Sequence, residues 1–241
     1  MTAFKDQVSV ITGASSGIGR AIALGLAAQG STLCLIGRRI ETLEAVAEAA
    51  HALTASTRCY CADLSLDEQV RALAVQLTEV GRIDVLIHSA GAMALGPIES
   101  AAVEELDRQY RVNVRAPYLL TQALLPALKR SHGQIVFINS SAALNARANV
   151  SQYAASKAAL KAIADSLRDE ANAAGVRVLS VYPGRTASPM QAAVHALEGK
   201  VYAPERLMQP EDVAAAVINA LSLPRSAEVT DIHIRPMLKS S

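Results

Sequence analysis

The chain has 241 residues, 51% of them hydrophobic, 19% charged and 3% aromatic, with a formal net charge of +1. That balance excludes a disordered chain, which is poor in apolar groups, and it lacks the basic excess of a nucleic-acid binder. With no Trp and 2 Phe, the core has to be built from Ala, Val, Leu and Ile.

In chain order, apolar runs of strand length alternate with helix-length amphipathic segments. Val8–Ile11 predicts a first strand and Ile18–Gln29 a helix, with Gly30 placed where a C-cap glycine belongs. Thr32–Ile36 and Thr57–Cys61 are the next strands, each followed by a helix, Ile40–Leu53 and Leu66–Glu79. Asp84–His88 is a fourth strand. The long helical stretch Val103–Lys129 contains Pro117 and Pro126, which predict kinks. Gln134–Ile138, the helix Ser151–Ala174 and Val176–Val181 follow. The pattern loosens from Pro183 to Pro204, then a helix at Pro210–Leu221 and a strand at Glu228–Ile234 close the chain.

Strands alternating with helices of this length imply parallel strands joined by right-handed crossovers. Continuously apolar strands imply helices on both faces. No linker or repeat divides the chain, so residues 1–241 read as one α/β domain, a Rossmann-like doubly wound sheet of about seven strands. In such sheets a ligand binds outside the carboxyl ends of the strands, where their order reverses. No apolar stretch approaches the roughly 20 residues of a membrane span, and Met1–Gln7 does not read as a secretory leader. Cys34, Cys59 and Cys61 read as core packing in a reducing, cytoplasmic setting. No cysteine or histidine spacing predicts a metal site.

After the first strand, Thr12–Gly19 reads TGASSGIG. Gly13, Gly17 and Gly19 permit a tight turn and close approach of a diphosphate, and the helix that follows offers free N–H groups and a positive dipole end. Gly13, Ser15, Ser16, Gly17, Ile18 and Gly19 are therefore candidate cofactor contacts. At the end of the second strand, Gly37-Arg38-Arg39 stands where an acidic residue would hold the ribose 2′-hydroxyl of NAD. Arginine instead suits a 2′-phosphate. The expected cofactor is NADP(H), with Arg38 the main contact and Arg39 beside it.

Tyr153 and Lys157 lie four residues apart, on one face of a helix. A fixed cation beside a phenol lowers its pKa from near 10 toward the range of a general acid/base. Ser140 would emerge at the end of the fifth strand and hydrogen-bond a carbonyl or alkoxide. No G-x-S-x-G elbow makes it a hydrolase nucleophile.

The segments TGASSGIG, CADL at Cys61–Leu64, HSAG at His88–Gly91, Asn113, Ser140, YAASK at Tyr153–Lys157 and Pro183-Gly184 together resemble the compact single-domain branch of the short-chain dehydrogenases/reductases. The resemblance implies a catalytic set of Asn113, Ser140, Tyr153 and Lys157. Tyr153 would exchange the proton with the carbonyl oxygen, and Ser140 would orient that oxygen. Lys157 would tune the phenol and hold the nicotinamide ribose, and Asn113 would hold a relay water. It also implies cofactor contacts at Asp63, Leu64, Ala90, Gly91, Pro183, Gly184 and Thr186, a substrate lid at Ala187–Met208, and a homodimer or homotetramer. The lid is apolar, which predicts a neutral or partly apolar carbonyl or alcohol as substrate, with neither nucleic acid nor membrane as partner. Arg147 and His195 are candidates for recognising an acidic group. His88 departs from the family's usual asparagine and reads as a structural replacement bonding nearby backbone. Arg185 reads as a phosphate contact or a solvent-facing charge. A non-catalytic NADP-binding scaffold is the alternative reading, and a related lyase or epimerase the third.

Overall fold

The computed structural model describes residues 3–53 and 56–237. Seven strands form one parallel sheet: β1 (Val8–Thr12), β2 (Thr32–Gly37), β3 (Thr57–Cys61), β4 (Val85–His88), β5 (Gln134–Ile138), β6 (Arg177–Pro183) and β7 (Asp231–Ile234). Their spatial order is β3-β2-β1-β4-β5-β6-β7, so the direction of winding reverses between β1 and β4. This is a Rossmann-like doubly wound domain.

The alternation of side chains along each strand divides the core. Ile11, Leu33, Leu35, Ile87, Val136 and Val181 face α1 (Gly17–Ala27), α2 (Ile40–His51) and α8 (Pro210–Leu221). Val10, Cys34, Leu86, Ile135, Phe137 and Val178 face α3 (Asp67–Thr78), α5 (Ala116–Ser131) and α6 (Ser151–Ala171). Both faces are covered, which is why the strands carry unbroken apolar runs. Each aliphatic side chain fully buried here contributes on the order of 1.5–3 kcal/mol.

Three expectations are corrected. The stretch expected as one proline-kinked helix is α4 (Val103–Tyr110) and α5 joined by a π-helical segment, Arg111–Arg115. The irregularity lies in the turn before Pro117, around Asn113: Pro117 has no N–H to bond the carbonyl four residues back, which opens the ladder there, while α5 runs through Pro126. The segment after Pro183 holds a further helix, α7 (Pro189–Leu197), capped by the Ser188 hydroxyl accepting from the Gln191 N–H. Only Cys34 of the three cysteines is buried; Cys61 is exposed, because β3 is an edge strand.

Candidate active site

The loop between β1 and α1 is shaped by contacts only glycine allows. Gly13 and Gly17 have φ of 67° and 53°. A Cβ on Gly13 would lie 2.7 Å from the Ala90 nitrogen, and one on Gly19 would lie 2.4 Å from the Gly13 oxygen. Thr12 ties this loop to the end of β4: its hydroxyl donates to Ile87 O (3.3 Å) and accepts the Ser89 and Ala90 N–H groups, both at 3.1 Å. Sequence reasoning passed over Thr12, although a hydroxyl ending a strand at the winding reversal was the available signal. No side chain caps the first turn of α1, so its N–H groups remain for an anion. This glycine cradle and uncapped helix end fit a dinucleotide diphosphate.

Arg38 and Arg39 follow β2 and are exposed. The Asp63 carboxyl lies half-buried after β3. Burial raises its pKa, but bonds from the Ser65 N–H and hydroxyl and the nearby Arg38 charge outweigh this and hold it below the usual range. Cys61 donates its thiol to Arg38 O at 3.3 Å, which places it at this same end of the crevice. Leu64 is buried, Ala90 and Gly91 are half-buried beside the glycine loop, and Ile18 and Ser15 are half-buried with Ser16 exposed.

At the other end, α6 presents Tyr153 and Lys157 on its buried stripe, 9% and 3% exposed. The Lys157 ammonium donates to Ile138 O at 2.9 Å and lies 5.9 Å from the centre of the Tyr153 ring. Burial lowers the Lys157 pKa from 10.5 to about 8. Burial raises the Tyr153 pKa, and the Ser140 hydroxyl beside it pulls the other way. This departs from the expected lysine-driven lowering. The reason is burial: taking the phenol out of water disfavours its charged form more than the Ser140 hydrogen bond favours it. Ser140, half-buried past the end of β5, also accepts the Ala142 N–H at 3.1 Å.

Asn113 is fully buried. The π-helical segment turns its amide onto the loop after β4, where it accepts from Ala92 N–H and donates to Ala92 O, both at 2.8 Å. It also donates to the Ser156 hydroxyl at 2.9 Å. Those bonds use both amide hydrogens and one oxygen lone pair of the side chain. Gln109, one helical turn earlier, joins the same loop and was missed; its i, i+4 relation to Asn113 was the available signal.

His88 is 2% exposed, stacks on Phe137 with ring centres 5.0 Å apart, and bonds the Thr121 hydroxyl through Nε2 at 2.9 Å. Its partner is a side chain, where backbone was expected. Burial lowers its pKa from 6.5 to about 3.

Across the crevice, Pro183 ends β6 and Gly184 follows it, while the Thr186 hydroxyl donates to Gly184 O at 3.1 Å. A bridge between Thr186 and Met208 closes the base of the segment expected as the lid. Its start reaches the glycine loop: Ser188 Cβ lies 3.3 Å from where a Cβ on Gly17 would be, and Met190 Cε lies 3.6 Å from where one on Gly91 would be. Arg185 pairs with Glu198 at 2.6 Å. His195 is buried inside the lid, bonded to Gln191 O at 2.8 Å and edge-on to Tyr202, while Arg147 is exposed. The expected acid-recognising pair is therefore not assembled: His195 is spent on internal packing. Among the described residues, no group of three or more His, Cys, Asp or Glu side chains could hold a metal, and no helix is long and apolar enough to cross a membrane.

A family model described as short chain dehydrogenase matches residues 7–199. An oxidoreductase of Staphylococcus epidermidis, described as uncharacterized, is 33% identical over 98% of this chain and the whole of that protein. A metagenomic short-chain oxidoreductase solved in complex with NADP is 32% identical, with a TM-score of 0.84 over 98% of this chain and 100% of its own. The alcohol dehydrogenase of Thermococcus sibiricus, solved with 5-hydroxy-NADP, is 28% identical, with a TM-score of 0.88 over 98% of both chains.

Proposed function

The chain belongs to the short-chain dehydrogenase family, and we propose that within it this protein is an NADP(H)-dependent oxidoreductase interconverting a carbonyl and an alcohol, with Tyr153 as general acid/base. The observation that carries this reading is the convergence of Tyr153, Ser140 and Lys157 on the carboxyl end of β5, at the sheet end that also holds the glycine cradle. The bound nicotinamide supplies or accepts the hydride.

Each residue's part follows from its surroundings. A buried phenol with a raised pKa stays protonated at neutral pH, the form required to protonate a carbonyl oxygen during reduction. Ser140 offers a second donor to the same oxygen as charge builds there. Lys157, with a pKa of about 8, is charged at pH 7 and close enough to its titration to pass a proton on. Asn113 holds α6 and the loop after β4 in register through Ser156 and Ala92. Arg38 supports NADP(H) over NAD(H), and solved relatives that carry NADP support the same choice. The exposed Tyr110 and Tyr118 of α4 and α5, 40% and 52% accessible, support assembly with further copies of the chain. Three free cysteines suit a cytoplasmic setting.

The test is the loss of NADPH absorbance with a panel of aldehydes, ketones and 3-oxoacyl thioesters. Turnover with at least one class, faster with NADPH than NADH, is expected. Tight NADPH binding without turnover on any of them would establish the scaffold reading instead.

A further inference from the structure

The two walls of the crevice are held differently. The wall between Ser188 and Tyr202 is stabilised mainly by itself, through Tyr202, His195 and the Arg185–Glu198 pair. The wall formed by residues 92–102 has no regular secondary structure up to Gly96, yet it is bolted to two helices by a pair of glutamines.

Gln109, on the last turn of α4, is fully buried. Its Oε1 accepts the Ala94 N–H at 3.1 Å. Its Nε2 donates to Glu105 O and to Gln152 Oε1, both at 3.1 Å. Gln152, immediately before Tyr153 on the first turn of α6, donates in turn to Ala102 O at 2.9 Å. Ala94 and Ala102 are thus tied to one amide pair, Asn113 holds the wall at Ala92, and a bond from Gly96 N–H to Asn149 O (2.9 Å) holds its middle. Burying a primary amide costs free energy that an apolar side chain would avoid. A fully satisfied buried network returns a single geometry instead.

We propose that Gln109 is a positioning residue that sets substrate specificity. Through Gln152 it locks the register between the wall at 94–102 and the helical turn that carries Tyr153. The wall and the acid–base hydroxyl then meet the substrate as one rigid unit, and the opposite wall adapts. The residues at hand there are apolar: Ala94 and Leu95 lie in the locked segment, and Met190 reaches the same loop at Gly91. The lock therefore selects among neutral carbonyl compounds by the size and branching of the apolar group beside the carbonyl. This role rests on the carbonyl-reductase reading.

The experiment compares the unaltered protein with Gln109→Leu, Gln152→Met and the double variant. It uses a series of ketones graded in bulk, with NADPH affinity and hydrogen exchange of residues 92–102 followed in parallel. Each single variant is expected to change the ratio of kcat/KM between the bulkiest and smallest good substrates about fivefold to tenfold, the equivalent of one net hydrogen bond. NADPH affinity should stay within about twofold, and exchange at Ala94 should accelerate in Gln109→Leu. The double variant should resemble the worse single one, because either change opens the same ring. An unchanged substrate ratio, additive losses, or unchanged exchange in an active enzyme overturns the lock. Should Gln109→Leu fail to fold, Gln152→Met, altered at a half-buried position, decides the matter by the same ratio. Inertness of the unaltered protein toward every carbonyl overturns the functional reading, and the specificity role with it.

Discussion

At one end of the crevice Arg38, Arg39 and Cys61 stand in solvent; at the other Tyr153, Lys157, Asn113 and His88 are all at most 9% exposed. Charges at the open end are hydrated and screened by salt, so they act on a ligand by attraction at the surface. At the closed end burial is the dominant force on every titrating group: it raises the phenol, lowers the ammonium to about 8 and lowers the imidazole to about 3. The same crevice thus divides into a region suited to grip and one suited to proton transfer. Only the second requires a folded core behind it.

The sharpest break of this contrast is Tyr153→Phe, which removes the acidic proton and keeps the packing. Carbonyl reduction should fall by about 10³-fold, within the usual span of acid–base catalysis. NADPH affinity, measured by fluorescence titration, should change little. A comparable loss of both would place Tyr153 in binding and not in chemistry. At the open end the expected effect is smaller. Arg38→Asp should cut the preference for NADPH over NADH by about 10- to 100-fold, the worth of a charged hydrogen bond, with kcat nearly kept. In the unaltered enzyme that preference should weaken as salt rises, as screened charges demand. An Arg38→Asp enzyme that still favours NADPH would shift the phosphate contact elsewhere, Arg39 first.

The remaining effect concerns stability and not turnover. His88 has its pKa depressed from 6.5 to about 3, so between those values the unfolded chain binds a proton that the folded one refuses. Stability therefore falls as pH drops through that window, by up to about 1.4 kcal/mol per pH unit for one proton. His88→Gln removes this uptake and carries an amide near the Nε2 position that bonds Thr121. Its acid unfolding midpoint, followed by circular dichroism, should move to lower pH. An unchanged midpoint would mean that other groups set acid stability at the closed end.

Much of the molecule was legible in the residues. Unbroken apolar runs of strand length and period-3.6 amphipathic segments placed all seven strands and most helices, because burial on both faces of the sheet and on one face of each helix is written directly in the residue types. Helix α7 escaped because it lies on the surface: Leu197 is 68% and Met190 39% exposed, so its pattern carries no strong burial signal. The π-helical turn at Asn113 escaped for a different reason. Pro117, two residues past it, signals a break but not its form; what holds the turn is the bonding of Asn113 to Ala92 and Ser156, residues 21 and 43 positions away.

What the amino-acid order alone determined was the alternating architecture, the glycine turn and the presence of Tyr153, Lys157 and Ser140 at the right ends of their elements. These depend on local periodicity and on backbone freedom, which neighbouring residues control. What only the tertiary structure decided was the electrostatic state of those groups and the anchoring of the wall beside them. Desolvation and buried amide networks arise from segments distant in sequence. Burial accordingly turned the expected lowering of the tyrosine pKa into a rise, and joined Gln109 to Gln152 across 43 positions.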